Sequence, residues 1–193
     1  MVGVRQFNEA AVMEQALDLF WRQGFAATSM PGLAEATGVQ RGSLYNAYGG
    51  KEGVFLRAFD LYTARFLDAA RTALGRPDPE EALAGFFAMA IASMTAGSPA
   101  RGCLSTKTAM DGAAWPQVRD RVERLLDDLA AIVRATLSTP QAAGRLTLPP
   151  EEAAQLLVTF TRGLAVMERV HGDPDRLRQT AAALIKTLLA RQP

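Results

Sequence analysis

The feature that most constrains the fold of this chain is the segment from Thr28 to Lys51, where two short helices are predicted around a glycine turn. Thr28 and Ser29 carry hydroxyls that can accept hydrogen bonds from the first amides of a helix, and Pro31 suits the first turn. Gly38 supplies the left-handed backbone that a tight turn needs. Small and polar side chains follow. The pattern predicts a helix-turn-helix, whose second helix can enter the major groove of DNA.

Ten residues of this segment are candidate contacts to DNA. Arginine can pair with guanine, and glutamine or asparagine can pair with adenine. Hydroxyls and a lysine can reach phosphates, and a glycine allows the backbone to approach the groove closely. Arg41 also has a simpler interpretation as a solvated surface charge. The candidates are Thr28, Ser29, Gln40, Arg41, Gly42, Ser43, Tyr45, Asn46, Tyr48 and Lys51.

The segment from Phe7 to Phe59 resembles the N-terminal domain of TetR/AcrR-type transcriptional regulators. This resemblance implies that Tyr45 and Lys51 contact DNA, and that Tyr48, where the family usually has phenylalanine, belongs to the core. The matching residues are Thr28-Ser29-Met30, Leu33-Ala34, Ala36-Thr37-Gly38-Val39, Gly42-Ser43-Leu44-Tyr45, Tyr48 and Lys51-Glu52-Gly53-Val54-Phe55.

Departures from the family pattern fall on residues that would hold phosphates. Pro31-Gly32 stands where a basic and an acidic residue are common, and Ala47 stands where a histidine is usual. Gly49-Gly50 replaces a pair more similar to Pro-Ser. The fold is unaffected, but the operator register and affinity cannot be transferred from relatives.

The charge of the chain does not by itself indicate a nucleic-acid partner. The 193 residues carry a formal net charge of +1. Up to Lys51 four cations balance four anions: Arg5, Arg22, Arg41 and Lys51 against Glu9, Glu14, Asp18 and Glu35. DNA binding must therefore depend on where a few cations lie and on helix N-termini that face phosphates.

Single cysteine and histidine residues exclude several classes of site. With only Cys103 and His171 there is no intramolecular disulfide, no CxxC motif and no basis for a histidine-rich metal site, and no cofactor is expected. An enzyme with Cys103 as nucleophile would need His171 as its base, far along the chain. No P-loop, GxGxxG, HExxH or GxSxG motif is present. We therefore predict that the protein is not an enzyme.

A membrane location is also not expected. Residues Ala82 to Ala100 are uncharged over 19 positions, but their apolar part ends near Met94. This stretch is therefore predicted to be a buried helix rather than a membrane span. The N-terminus lacks the apolar core of a signal peptide, so the protein is expected in the cytoplasm.

The remaining sequence predicts an all-α protein of about nine helices. By resemblance in layout, residues 1–50 form a three-helix DNA-binding domain, a helix over 51–74 links it, and residues 75–193 form an effector-binding and dimerisation domain. The predicted helices are Arg5–Gln23, the helix-turn-helix pair with its second helix from Gln40 to about Tyr45, Lys51–Leu74, Glu80–Met94, Cys103–Asp111, Pro116–Leu137, Glu151–Val170 and a last helix from Pro174 to about Ala190. Residues 138–150 are predicted to be a loop.

Two sets of apolar residues in the second half are candidates for binding. Bulky or flexible side chains suit an apolar pocket, although simple core packing is the alternative for each of them: Phe86, Phe87, Met89, Met94, Cys103, Met110, Trp115, Phe160 and Met167. Wide stripes on the last two helices suit a symmetric dimer on a palindromic operator: Leu157, Leu164, Leu177, Ala181, Leu184, Ile185 and Leu188.

The leading hypothesis is a homodimeric repressor that is released from its operator by a small apolar or aromatic effector. One alternative is a helical carrier of small molecules that does not bind DNA. Another is the same repressor switched by thiol chemistry at Cys103, which is predicted at a helix N-terminus with Arg101 and Lys107 nearby. The simpler interpretation of Cys103 is a packed residue. Activation of transcription is the alternative to repression.

Overall fold

The computed structural model describes residues 8–112 and 114–190. This part of the chain confirms the predicted all-α class, with ten helices and no strands. The helices are α1 (Glu9–Gln23), α2 (Met30–Thr37), α3 (Arg41–Tyr48), α4 (Lys51–Leu74), α5 (Pro79–Thr95), α6 (Leu104–Asp111), α7 (Pro116–Leu137), α8 (Pro140–Ala143), α9 (Pro150–His171) and α10 (Pro174–Leu188).

Local capping signals determine where most helices begin. The side chains of Asn8, Ser29, Asp78 and Asp173 each accept a hydrogen bond from a first-turn amide, which satisfies a donor that has no partner inside the helix. The first helix begins at Glu9. The predicted start at Arg5 lies outside the described residues.

One helix that was not predicted, α8, lies inside the segment 138–150 that was predicted to be a loop. Thr139 caps α8 by accepting a hydrogen bond from the Ala142 amide at 3.4 Å, and Pro140 occupies the first turn. Beyond α8 the chain pairs with the C-terminal segment, because the Thr147 amide donates to the Leu188 carbonyl at 2.9 Å and Leu146 bridges Leu189. These long-range pairs were not visible in the sequence.

The described residues form two compact units. Unit 1 comprises the residues up to Arg65 together with Leu104–Glu123, and unit 2 comprises Phe66–Cys103 together with the residues from Arg124 onward. Helices α4 and α7 thus contribute residues to both units.

The core of unit 1 is aromatic. The rings of Phe20 and Phe25 each meet the Phe55 ring edge-to-face, with centroids 4.9 and 4.8 Å apart, and Phe59 stacks on Phe55 at 5.3 Å. All four side chains are at most 1% exposed. Such pairs stabilise a core beyond the burial of their area, so α1, the loop after it and α4 are held together firmly.

The core of unit 2 surrounds α5. This helix buries Ala82, Leu83, Phe86, Phe87, Ala90, Ile91 and Met94 and packs on α9 and α10. The uncharged stretch beginning at Ala82 is therefore a buried helix as predicted. Among the described residues, no helix combines the length and apolar character that a membrane span requires.

Candidate nucleic-acid interface

Helices α2 and α3 are joined by a turn that depends on one glycine. Gly38 has φ +65° and ψ 13°, and a Cβ atom there would meet no other atom within 4 Å. Glycine is therefore required for the left-handed backbone and not for space. The Ser29 hydroxyl accepts from the Gly32 amide at 3.2 Å, and the Thr37 hydroxyl donates to the Leu33 carbonyl at 2.6 Å. The Ser29 bond caps the start of α2, and the Gly38 amide, which donates to the Glu35 carbonyl at 3.4 Å, caps its end.

Burial separates the inner face of the helix-turn-helix from its outer face. Leu33 and Leu44 are fully buried and Val39 is 8% exposed, so they anchor α2, the turn and α3 on the core. The outer side of α3 and its preceding residue exposes Gln40, Arg41, Gly42, Tyr45 and Asn46, while Ser43 and Tyr48 are half-buried. Among the sequence candidates, five therefore lie together on one exposed surface, which we call the α3 surface.

Within the part of the chain that the structure describes, the polar groups of the α3 surface do not take part in the packing of the fold. Gln40 occupies the N-cap position of α3, but its side chain makes no capping hydrogen bond. Tyr45 is 48% exposed. An amide, a guanidinium and a phenol are thus presented to solvent on one helix, as direct contacts to DNA require.

Arg41 differs from several other arginines of unit 1, which form ion pairs with carboxylates. Ion pairs join Arg22 to Asp18 at 2.8 Å, Arg57 to Glu9 at 3.7 Å, Arg121 to Asp60 at 3.1 Å and Arg65 to Glu14. The hydrogen bonds from Arg65 lower the pKa of the Glu14 carboxyl. Arg41 has no ion pair with a described residue, so its charge remains available to an external anion.

Thr28 and Lys51 have their polar atoms directed inward. Thr28 is 2% exposed and its hydroxyl donates to the Gly24 carbonyl at 2.7 Å. The Lys51 ammonium donates to the carbonyls of Phe25 at 3.0 Å and Ala26 at 3.2 Å. Ser29 is exposed, but its hydroxyl caps α2. These three candidates thus serve the fold in this structure, in contrast to those on the α3 surface.

The predicted effector-binding residues are divided between the units. In unit 2 the Phe87 ring lies 5.4 Å from Phe86 and 5.8 Å from Phe160, measured between centroids. Met94 is buried, and Met89 is half-buried. Met110 and Trp115 belong to unit 1, where Met110 is 75% exposed, and Met167 is 44% exposed. Met110 and Met167 are therefore not in the interior of either unit, contrary to the expectation of a common apolar pocket.

Cys103 has a basic neighbour that sequence spacing could not reveal. It is half-buried and directly precedes α6, close to the predicted position. A guanidinium nitrogen of Arg162, 59 residues away on α9, lies 3.7 Å from its sulfur. The expected neighbour Lys107 instead donates to the Trp21 carbonyl at 2.8 Å. Arg162 carried no signal in the sequence because its pairing depends on tertiary packing.

The residues predicted at a dimer interface lie inside the protomer. Six of them are at most 4% exposed: Leu157, Leu164, Leu177, Ala181, Ile185 and Leu188. The seventh, Leu184, is half-buried. They pack among α5, α9 and α10, because a lone helical stripe must first cover its own domain's core. The exposed apolar residues of α9 are instead Leu156, Val166, Met167 and Val170.

Comparison with known proteins identifies two matching family models. Residues 12–58 match the model of bacterial regulatory proteins of the tetR family, and residues 79–184 match that of the tetracyclin repressor-like C-terminal domain. The HTH-type transcriptional repressor ComR of Escherichia coli is 28% identical over 188 residues, which cover 93% of this chain and 88% of ComR. An uncharacterized HTH-type transcriptional regulator of Bacillus subtilis, YezE, is 28% identical and covers 90% of this chain and 92% of its own length.

A similar solved structure contains DNA. A cysteine mutant of the TetR-family regulator CifR, complexed with 26-base-pair double-strand operator DNA, superimposes with a TM-score of 0.85 at 28% identity. The match covers 95% of this chain and 98% of CifR. The reduced form of NemR from E. coli shares the fold at a TM-score of 0.84, with 16% identity over 95% of this chain and 97% of NemR.

Proposed function

The chain belongs to the TetR family of bacterial regulatory proteins, which are DNA-binding regulators and not enzymes, and we propose that it represses transcription as a homodimer on a palindromic operator. The observation that carries this proposal is the α3 surface, where Gln40, Arg41 and Asn46 are exposed beside Tyr45. The CifR–operator complex, which has a similar fold, supports it.

The chemistry of the α3 surface suggests a division of roles. Arg41 would pair with guanine, and Gln40 or Asn46 with adenine, in the major groove. The Tyr45 hydroxyl would contact a phosphate and fix the register. Gly42 offers no side chain and would let the helix approach the groove closely.

A binding assay with DNA that flanks the protein's own coding region tests the proposal. We expect a site bound with Kd in the range of 10⁻⁸–10⁻¹¹ M that specific regulators show. Gln40→Ala should weaken binding by about 1–3 kcal/mol, as loss of one base contact does. Gln141→Ala, the same change on the exposed surface of α8, is the matched control. Equal affinity of the two variants would mean that the Gln40 side chain makes no base contact. A protein that binds no DNA would favour the carrier function.

For dimerisation we propose the outer face of α9 and a second copy of the chain. Leu156, Phe160, Gly163, Met167 and Val170 recur at intervals of four, three, four and three residues, which align on one helical face. Gly163 is the middle member of this row, and contact between two copies related by a two-fold axis would bring the same face of each helix together.

The properties of Gly163 support this interface. A Cβ atom at Gly163 would meet no atom of the described residues within 4 Å, although glycine inside a helix costs about 1 kcal/mol relative to alanine. A close crossing of two α9 helices would explain why glycine is tolerated.

The effector that we propose binds in unit 2 and is apolar or aromatic. Phe86 and Phe87 are buried in unit 2, where Phe87 meets Phe160 edge-to-face. A flat apolar molecule that entered between these rings would pack against them. An effector should raise the melting temperature because it binds the native state, and it should lower operator affinity by thermodynamic coupling. A compound that stabilises the protein without changing operator affinity would instead support the carrier function.

The contact between Cys103 and Arg162 favours a second candidate, release of DNA by an electrophile that reacts with the thiol. A cation 3.7 Å from the sulfur favours the thiolate, which is the reactive form of cysteine. Iodoacetamide is a suitable probe, because the sulfur forms a bond to its carbon and iodide leaves. We expect reaction of the native protein at neutral pH and slower reaction of Arg162→Gln.

The switch itself is tested with Cys103→Ser. This variant should bind the operator as the wild type does and should ignore iodoacetamide, whereas the modified wild type should release DNA. A thiol that reacts only in urea would make Cys103 a packing residue.

A further inference from the structure

Lys51 is the first residue of α4, and its ammonium is held within unit 1. It donates to the carbonyls of Phe25 at 3.0 Å and Ala26 at 3.2 Å. An ammonium has three hydrogens to donate, so two of them are directed to the loop between α1 and α2. That loop leads directly into Ser29, the N-cap of α2. Lys51 therefore ties the start of α4 to the entrance of the helix-turn-helix.

Two aromatic rings complete the surroundings of this ammonium. Lys51 Nζ lies 4.6 Å from the centroid of the Phe25 ring and 5.8 Å from that of Trp115. The two rings meet edge-to-face at 4.9 Å, and Phe25 is 1% exposed. Cations within about 6 Å of an aromatic face are attracted by its quadrupole. We call the two carbonyls and two rings the Lys51 cage.

We propose that Trp115 is a positioning residue for DNA binding, acting through the Lys51 cage. Trp115 precedes α7 and is the one member of the cage that lies far in sequence from the helix-turn-helix. Its ring keeps the ammonium on the Phe25 and Ala26 carbonyls, which fixes the loop from which α2 begins. The inference rests on the proposed DNA-binding function and assigns to Lys51 a role different from a phosphate contact.

The salt dependence of binding separates the two roles of Lys51. Loss of a phosphate contact removes one released counterion and reduces the slope of log affinity against log salt by about 0.9. Loss of a positioning contact lowers affinity but leaves this slope unchanged, because the contacts to phosphates are the same in number. Trp115 carries no charge, so its removal can lower affinity only through loss of positioning, with an unchanged salt slope.

The experiment measures operator affinity and its salt slope for full-length variants. Lys51→Met and Trp115→Leu should each lower affinity by about three- to tenfold, the equivalent of one cation–π contact with its hydrogen bonds, with an unchanged slope. Trp115→Phe, which keeps an aromatic face, should recover most of the affinity. The double variant Lys51→Met/Trp115→Leu should be no weaker than either single one, because both remove the same cage. Lys186→Met, at an exposed residue of α10, controls for the loss of one positive charge.

Tryptophan emission provides a readout that does not depend on DNA. The chain has two tryptophans, so in a Trp21→Phe background the emission reports Trp115 alone. Lys51→Met should shift this emission, and Lys186→Met should not. The measurement stays informative if Trp115→Leu folds poorly or if no operator is found, in which case the proposed function fails and the cage is still tested.

Three results would overturn the inference. They are a salt slope that falls by about 0.9 in Lys51→Met, an operator affinity that Trp115→Leu leaves unchanged, or a Trp115 emission that is the same with lysine and methionine at position 51. The first result would indicate that Lys51 contacts a phosphate of the DNA.

Discussion

A Cβ atom on Gly53 would lie 1.8 Å from the carbonyl oxygen of Tyr48 and 2.9 Å from its carbonyl carbon. Both distances are shorter than any contact that a real side chain can make with a backbone. The first turn of α4 and the last residue of α3 are therefore packed backbone against backbone, and this contact sets the orientation of α3 within unit 1.

The first prediction is that Gly53→Ala destabilises the protein. A methyl group cannot enter without moving α3 away from α4, and overpacking of this kind costs about 1–3 kcal/mol, more than the helical preference of alanine returns. Urea unfolding measures the difference. We also expect weaker operator binding, since the α3 surface would be displaced. A Gly53→Ala protein of wild-type stability would show that the contact relaxes freely.

The second prediction concerns Gly42, which is the matched control for stability. A Cβ atom there meets nothing within 4 Å, so Gly42→Ala should leave the fold unchanged and should stabilise α3 by up to about 1 kcal/mol. Operator affinity should nevertheless fall, because the added methyl group lies on the surface proposed to approach the groove. Unchanged affinity would mean that DNA does not come close to α3 at this residue.

Local signals explain how much of the fold could be predicted. Ser29, Pro31 and Gly38 specify α2 and its turn through bonds that span at most four residues, and the structure contains that helix and that turn. The bounds of α4 and α7 were also correct. The missed helix α8 has the same kind of signal in Thr139-Pro140, but its four residues are too few to show a hydrophobic period.

Long-range contacts explain what could not be predicted. The carbonyl partners of Lys51 lie 25 and 26 residues away, and Arg162 lies 59 residues from Cys103. The hydrophobic stripes of α9 and α10 correctly predicted that one face of each helix is buried. They did not indicate whether that face packs against the same chain or against a second copy. That choice depends on how α5 packs, and a single helical pattern does not contain this information.

The third prediction concerns acid stability. The Asp78 carboxyl accepts from the Glu81 amide at 2.9 Å and pairs with Arg145 at 2.7 Å, and these interactions lower its pKa. A lowered native pKa stabilises the fold above the pKa of the unfolded state, and this stabilisation is lost as the pH falls below about 4. Asp78→Asn retains a capping side chain but no charge.

Urea unfolding between pH 3 and pH 7 tests this expectation. The wild type should be more stable than Asp78→Asn near neutral pH, and the two should converge at the acid end. The difference will be small, because the side chain is 43% exposed and water screens the pair. Asp127→Asn, on the exposed side of α7, is the matched control for the loss of one surface carboxylate. A constant difference at every pH would mean that Asp78 acts through its cap geometry alone.

The last prediction tests the proposed crossing of two copies at Gly163. Gly163→Leu adds a large side chain where the protomer has open space, so the single chain should fold at least as well, since leucine favours a helix more than glycine does. Two copies should no longer approach at this residue, and sedimentation should show monomers. Operator affinity should fall with dimer loss, because a palindromic site then engages one recognition helix at a time. Asp127→Leu, which adds the same side chain to an exposed part of α7, should remain dimeric. If Gly163→Leu were folded and still dimeric, the copies would have to meet elsewhere, and the open space at Gly163 would have no role in assembly.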